Sequence, residues 1–206
     1  MKAVANSSFT QAPEGWSASL DLTASRRGER TVLSRNSHCG PLRVQRPFYP
    51  EGGICHVYVL HPPGGLVAGD ELAIDAHCES GAELLLTTPS AGRVYCSNAK
   101  QLQQSQKVTI HVEAGARCEW LPQESIVFDR AEALNSVSVH LDKEAQFTGW
   151  EVTCLGRPAS GEGFDGGELQ QSWDIYREAR PLLLERTKFT GGSDQLQAHW
   201  VWPVPR

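Results

Sequence analysis

The residues in this sequence best suited to chemistry are carboxylates set among glycine or apolar neighbours. Asp70 ends the string Gly64-Gly65-Leu66-Val67-Ala68-Gly69-Asp70, whose glycines allow positive φ and close backbone approach, placing the carboxylate on a sharp turn. An Asx turn or cap is its plainer role. Glu124 follows Leu121-Pro122-Gln123, Glu151 stands between Trp150 and Val152, and Glu185 follows Leu182-Leu183-Leu184. A carboxylate in such company is costly to bury unless it is paired or wet. Arg157, Arg177, Arg180 and Arg186 lie nearby in sequence and offer salt bridges as the alternative to a functional role.

Imidazoles and thiols come next. His38-Cys39 and Cys55-His56 look like a mirrored soft-metal quartet. Adjacent residues on a strand point to opposite faces, so one metal would reach one member of each pair, and burial of cysteine as a small hydrophobe is favoured. His77, His111 and His140 head three similar strings and would form a column if those strings stack; a solvated ladder is the plainer account. There is no Gly-x-Ser-x-Gly elbow, no phosphate loop and no zinc-protease helix. No hydrolase, lyase or GTPase activity of the chain alone is expected, while a catalytic carboxylate pair stays open because spatial neighbours are not given by sequence.

The elements that must position these groups read as strands. Trp16, Ala18, Leu20 and Leu22 recur at period two, as do Cys55, Val57 and Val59; Leu72, Ile74 and Ala76; Val108, Ile110 and Val112; and Val137, Val139 and Leu141. Two short helical turns are expected, near 97–104 and 172–178. Trp16, Trp120 and Trp150 follow the same alternation and are expected to be buried. Gly156–Gly167 reads as a long loop. His77-Cys78-Glu79-Ser80-Gly81-Ala82 is echoed by His111-Val112-Glu113-Ala114-Gly115-Ala116 and more faintly by His140-Leu141-Asp142-Lys143-Glu144-Ala145. Each echo is a strand end, an acidic turn and an alanine opening the next strand. The fold expected is all-β, a layered, β-helix-like stack.

The 206 residues suit one domain, with 40% hydrophobic and 21% charged residues. A net charge of -5 with scattered signs argues against nucleic acid, which requires a basic face. No stretch approaches a membrane helix, and Met1–Ala5 is too short for a leader, which points to the cytoplasm. The six cysteines are spread singly without Cys-x-x-Cys, which suits a reducing compartment.

Four Gly/Pro-bounded strings carry a more specific signal. They are His61-Pro62-Pro63-Gly64-Gly65-Leu66-Val67-Ala68-Gly69-Asp70, Thr87-Thr88-Pro89-Ser90-Ala91-Gly92-Arg93-Val94-Tyr95, Trp120-Leu121-Pro122-Gln123-Glu124-Ser125-Ile126-Val127-Phe128 and Cys154-Leu155-Gly156-Arg157-Pro158-Ala159-Ser160-Gly161-Glu162. Together they resemble the UreD/UreH family of urease accessory proteins, over roughly Gly15 to Glu185. The resemblance implies a cytoplasmic, non-enzymatic scaffold that joins UreF and the GTPase UreG, docks on apo-urease and assists nickel insertion. It implies no tightly bound cofactor, only transient Ni²⁺. Nickel accepts oxygen and imidazole ligands, so Asp70, Glu151 and Glu185 are carried over as stations of a transient nickel passage. Ala68 stands where the family favours Gly, and the chain ends at Trp200–Arg206, short of the usual family length, as if lacking its C-terminal part. The alternative from another class is a β-helical carbohydrate-binding or carbohydrate-active protein, drawing on the six tryptophans.

Overall fold

Alternating apolar residues punctuated by Gly and Pro leave little room for helix, and the regular elements of the described residues are nearly all strands. The computed structural model describes residues 15–197; Met1–Ala5 and the Trp200–Arg206 stretch lie outside the described residues. A hairpin of β1 (Ser17–Arg27) and β2 (Arg30–Cys39) is followed by β3 (Arg43–Val44) and β4 (Cys55–Leu60). Three successive coils come next. The first is β5 (Glu71–Cys78), β6 (Glu83–Thr87) and β7 (Gly92–Val94); the second is β8 (Gln104–Val112), β9 (Arg117–Trp120) and β10 (Ser125–Val127); the third is β11 (Glu132–Leu141), β12 (Gln146–Gly149) and β13 (Thr153–Leu155). The hairpin β14 (Glu168–Arg177) and β15 (Arg180–Thr190) and a short helix, α1 (Asp194–Gln197), complete the described chain.

Each coil gives one strand to each of three sheets. The sheets run β15-β14-β11-β8-β5-β1-β2, β12-β9-β6-β4-β3 and β13-β10-β7. Successive coils pair in parallel, for example Ile74 with Val108 and Val108 with Val137. The main core fills the space between the two larger sheets. Leu20, Leu22, Val57, Ile74, Leu84, Ile110, Cys118 and Val139 are buried there, on the faces that the alternation assigns to the interior. A smaller cluster around Val94, Val127, Phe164 and Leu169 sits behind the third sheet.

The three echoing strings occupy the same corner of the three coils. At each, an acidic residue donates its backbone N–H to the preceding layer: Glu79 to Ala24 O, Glu113 to Cys78 O and Asp142 to Val112 O. The following alanine N–H closes the turn on that acidic residue's carbonyl, and Ala82, Ala116 and Ala145 are buried. Gly81 and Gly115 take φ of 70° and 68° in these turns, whereas the third copy puts Glu144 at 63°. A side chain in this region costs about 1–2 kcal/mol, partly offset because glycine loosens the unfolded chain. Glu144→Gly is therefore expected to stabilise the protein by about 0.5–1 kcal/mol, read as a higher midpoint in denaturant; an unchanged or lower midpoint would show that the turn carries no strain.

Two expectations need correction. No helix forms over 97–104, where the Asn98 side chain accepts the N–H groups of Lys100 and Leu102 and Ser97 Oγ donates to Leu102 O, making a side-chain-closed turn. Residues 172–178 are not helical either: most of them continue β14, whose ladder bonds to β11 and β15 override any local helical tendency. Of the three tryptophans, Trp120 is 1% exposed, but Trp16 and Trp150 are 60% and 50% exposed. Trp16 precedes β1 and Trp150 lies between β12 and β13, so the alternation that buries strand residues does not hold for them. The Gly156–Gly167 loop is pinned by one 3₁₀ turn, an Arg157–Glu162 ion pair and the Asp129 carboxylate, which accepts the N–H groups of Asp165 and Gly166.

Candidate functional site: two cavities that share a carboxylate

The four strings singled out in the sequence are brought together by the coil. Leu66 of the first bridges Val94 of the second; β7, β10 and β13 place the second, third and fourth side by side in parallel. Between this small sheet and the two larger ones lies a cavity of about 440 Å³. The first string lines it with His61, Gly65 and Leu66, the second with Ser90 and Arg93, and the third with Trp120 and Ser125. Gly65 is required by close approach, since a Cβ there would lie 2.4 Å from the Tyr95 ring. Trp120 lines the cavity, and its buried indole N–H has no protein partner among the described residues. Buried donors of this kind are normally satisfied by water.

Glu151 lines this cavity and also a second one, of about 570 Å³, next to β14 and β15. Alternate residues of β15, namely Leu183, Glu185 and Thr187, face the second cavity, as do Trp173 and Ile175 of β14. Trp173 pairs with Glu185 across the hairpin and donates its indole N–H to Glu151 Oε2 at 3.0 Å. Burial pushes the Glu151 carboxyl above its ordinary value; the Trp173 bond opposes this and the Glu185 charge adds to it. Across the first cavity, burial lowers the His61 imidazole, with the Asp70 charge acting in the other direction.

Of the three carboxylates named from the sequence, the structure brings Glu151 and Glu185 to one cavity. Asp70 lines neither cavity. It is 6% exposed, and its two oxygens accept the backbone N–H groups of Trp16 at 2.8 Å and Val67 at 2.9 Å. The arginines offered as partners are engaged elsewhere: Arg157 with Glu162, Arg186 with Asp174, and Arg177 with the carbonyls of Asp142 and Ala145. Sequence reasoning missed His61 and Trp173 as site residues. His61 opens the first string and was visible there; Trp173 was hidden because its role depends on cross-strand pairing.

The mirrored Cys/His pairs do not converge. Cys55 is buried in the core while His56 packs against Phe48 on the other side, and Cys39 is exposed. Among the described residues no group of three or more His, Cys, Asp and Glu side chains is arranged to hold a metal ion. No described helix is long and apolar enough to cross a membrane.

Residues 17–203 match the family model described as UreD urease accessory protein. The chain is 47% identical over 186 residues to the urease accessory protein UreD of Saccharophagus degradans, an alignment covering 90% of this chain and 63% of that protein. It is 45% identical over 195 residues to the UreD of Hahella chejuensis, covering 94% and 62%, and 43% identical over 188 residues to that of Citrobacter koseri, covering 91% and 65%. The chain thus spans a little under two thirds of the length of these curated relatives.

Proposed function

This chain belongs to the UreD urease accessory protein family, and from that premise we propose that it acts as a cytoplasmic, non-catalytic scaffold in urease maturation, joining UreF and the GTPase UreG, docking on apo-urease and carrying Ni²⁺ through its interior. The observation that supports this reading most directly is the position of Glu151 on both cavities. Nickel is cargo here, so its ligands must release it. One imidazole and two carboxylates at intervals, His61, Glu151 and Glu185, completed by water, suit fast exchange better than a closed cage. Asp70 acts behind His61, through its charge and through the turn it locks. Membership of this family takes the place of the carbohydrate-binding alternative.

The docking part of the proposal draws on exposed apolar residues at the cavity rims. Trp150, Val152 and Leu183 are 50%, 56% and 41% exposed, and β15 is an edge strand. Apolar rims and free strand edges mark surfaces that another protein covers. The occupant proposed is UreF. Leu183→Lys is expected to keep the fold, since the residue is exposed, and to weaken UreF capture by about 30-fold or more, corresponding to the ~2 kcal/mol of an interface hot spot. Co-purification of UreF with the parent and the variant at matched abundance is the test; equal capture would place the partner elsewhere.

A further inference from the structure

The column of histidines exists and lies away from both cavities. His77, His111 and His140 are in register on β5, β8 and β11, and Tyr176 on β14 extends the row. The His111 and His140 rings stack at 4.7 Å with planes 12° apart, and Tyr176 stacks on His140 at 5.4 Å and 8°. His77 is set apart from the pair. Its ring is tilted 54° at 6.1 Å from His111, and its Nε2 is held 2.8 Å from Glu113 Oε1.

We propose that His111 and His140 form a surface bis-imidazole site for a divalent transition-metal cation, separate from the cavities that meet at Glu151. Two in-register imidazoles on neighbouring strands hold their rings 4.7 Å apart, centroid to centroid. Metal–imidazole bonds of about 2.1 Å at right angles put two ring nitrogens about 3 Å apart. Stacked rings at 4.7 Å reach this by tipping toward each other about χ2, which is a broad torsion for histidine. The surroundings favour it in three ways. Ser138 Oγ lies 3.0 Å from His140 Nε2, fixing one ring nitrogen as outer partners of metal-bound histidines do and leaving the other to the metal. Asp75, exposed and two residues before His77 on the same face of β5, pairs with Thr109, two residues before His111, and so adds a carboxylate beside the row. His111 is exposed and His140 half-buried, so water completes the coordination sphere and the ion can enter and leave. Imidazole selects Ni²⁺, Cu²⁺ or Zn²⁺ over Mg²⁺ and Ca²⁺.

This site stands independently of the nickel passage, and the experiment separates the two. Equilibrium dialysis of the full chain against Ni²⁺ alone is compared for the parent, the His111→Gln/His140→Gln double variant, His77→Gln and Glu151→Gln. The double variant is expected to lose one bound equivalent, or to hold it at least tenfold more weakly, while His77→Gln and Glu151→Gln keep it. Cu²⁺ added to the parent provides a readout that needs no variant: electron paramagnetic resonance is expected to show coupling to two imidazole nitrogens. Unchanged Ni²⁺ stoichiometry in a folded double variant, or a Cu²⁺ spectrum without paired nitrogen coupling, overturns the proposal. Loss of urease activation in Glu151→Gln bears on the passage only and leaves this site untouched.

Discussion

Glu151→Gln is expected to fold at least as well as the parent and to activate urease about tenfold less, a barrier of ~1.4 kcal/mol. The amide keeps an oxygen to accept the Trp173 N–H, so the local hydrogen bond survives. What disappears is the negative charge on the residue that lines both cavities. The two effects run in opposite directions. Burial raises the Glu151 carboxyl in the folded protein, so the folded state holds that proton more tightly than the unfolded chain does. Such a group contributes stability below its unfolded value near 4.5, and that contribution is lost as pH rises through the folded value. At neutral pH the charged form is a net cost, which glutamine removes. The stability gap between variant and parent should therefore favour the variant at pH 7 and shrink toward pH 4. Denaturant midpoints at the two pH values, read beside urease activity and nickel content in cells, decide the matter. A variant that loses stability, abundance and activation together would assign Glu151 a structural role and sink the passage.

Asp70→Ala should behave in the opposite way. Each Asp70 oxygen accepts a backbone N–H, tying Trp16 ahead of β1 to the Val67 turn ahead of β5. Hydrogen bonds to a charged group are worth about 1.5–3 kcal/mol each, and their donors are left stranded by alanine, so a loss of about 2–4 kcal/mol is expected. For a chain of this size that lowers the melting temperature by roughly 5–15 °C. Abundance, partner capture and urease activation should fall in step. If activation fell while the melting temperature and abundance held, Asp70 would act on the cargo directly and not through the turn.

The contrast between these two carboxylates shows where sequence reading is strong. Val108, Ile110 and Val112, or Leu72, Ile74 and Ala76, reveal strand and buried face at once, because a pleated strand sends alternate side chains to opposite sides. The three acidic-turn echoes were legible for a related reason: each coil must solve the same corner, and similar residues solve it. Trp16 and Trp150 misled because alternation carries no information past a strand's end. The 172–178 segment misled because β14 is held by its neighbours' ladders rather than by its own pattern.

By itself the sequence determined an all-β stack, its interior faces, its repeated corner and the family to which it belongs. These are properties of near neighbours along the chain and of short continuous strings. The tertiary structure alone decided that Glu151 and Glu185 share a cavity, that Asp70 is spent on two backbone donors, that Trp173 reaches Glu151 and that two imidazoles lie face to face. Parallel coils bring together residues a whole turn of chain apart, and which residue meets which depends on register. A one-residue slip sends every side chain of a strand to the opposite face, so that information is set by the packed sheets and not by any local stretch of sequence.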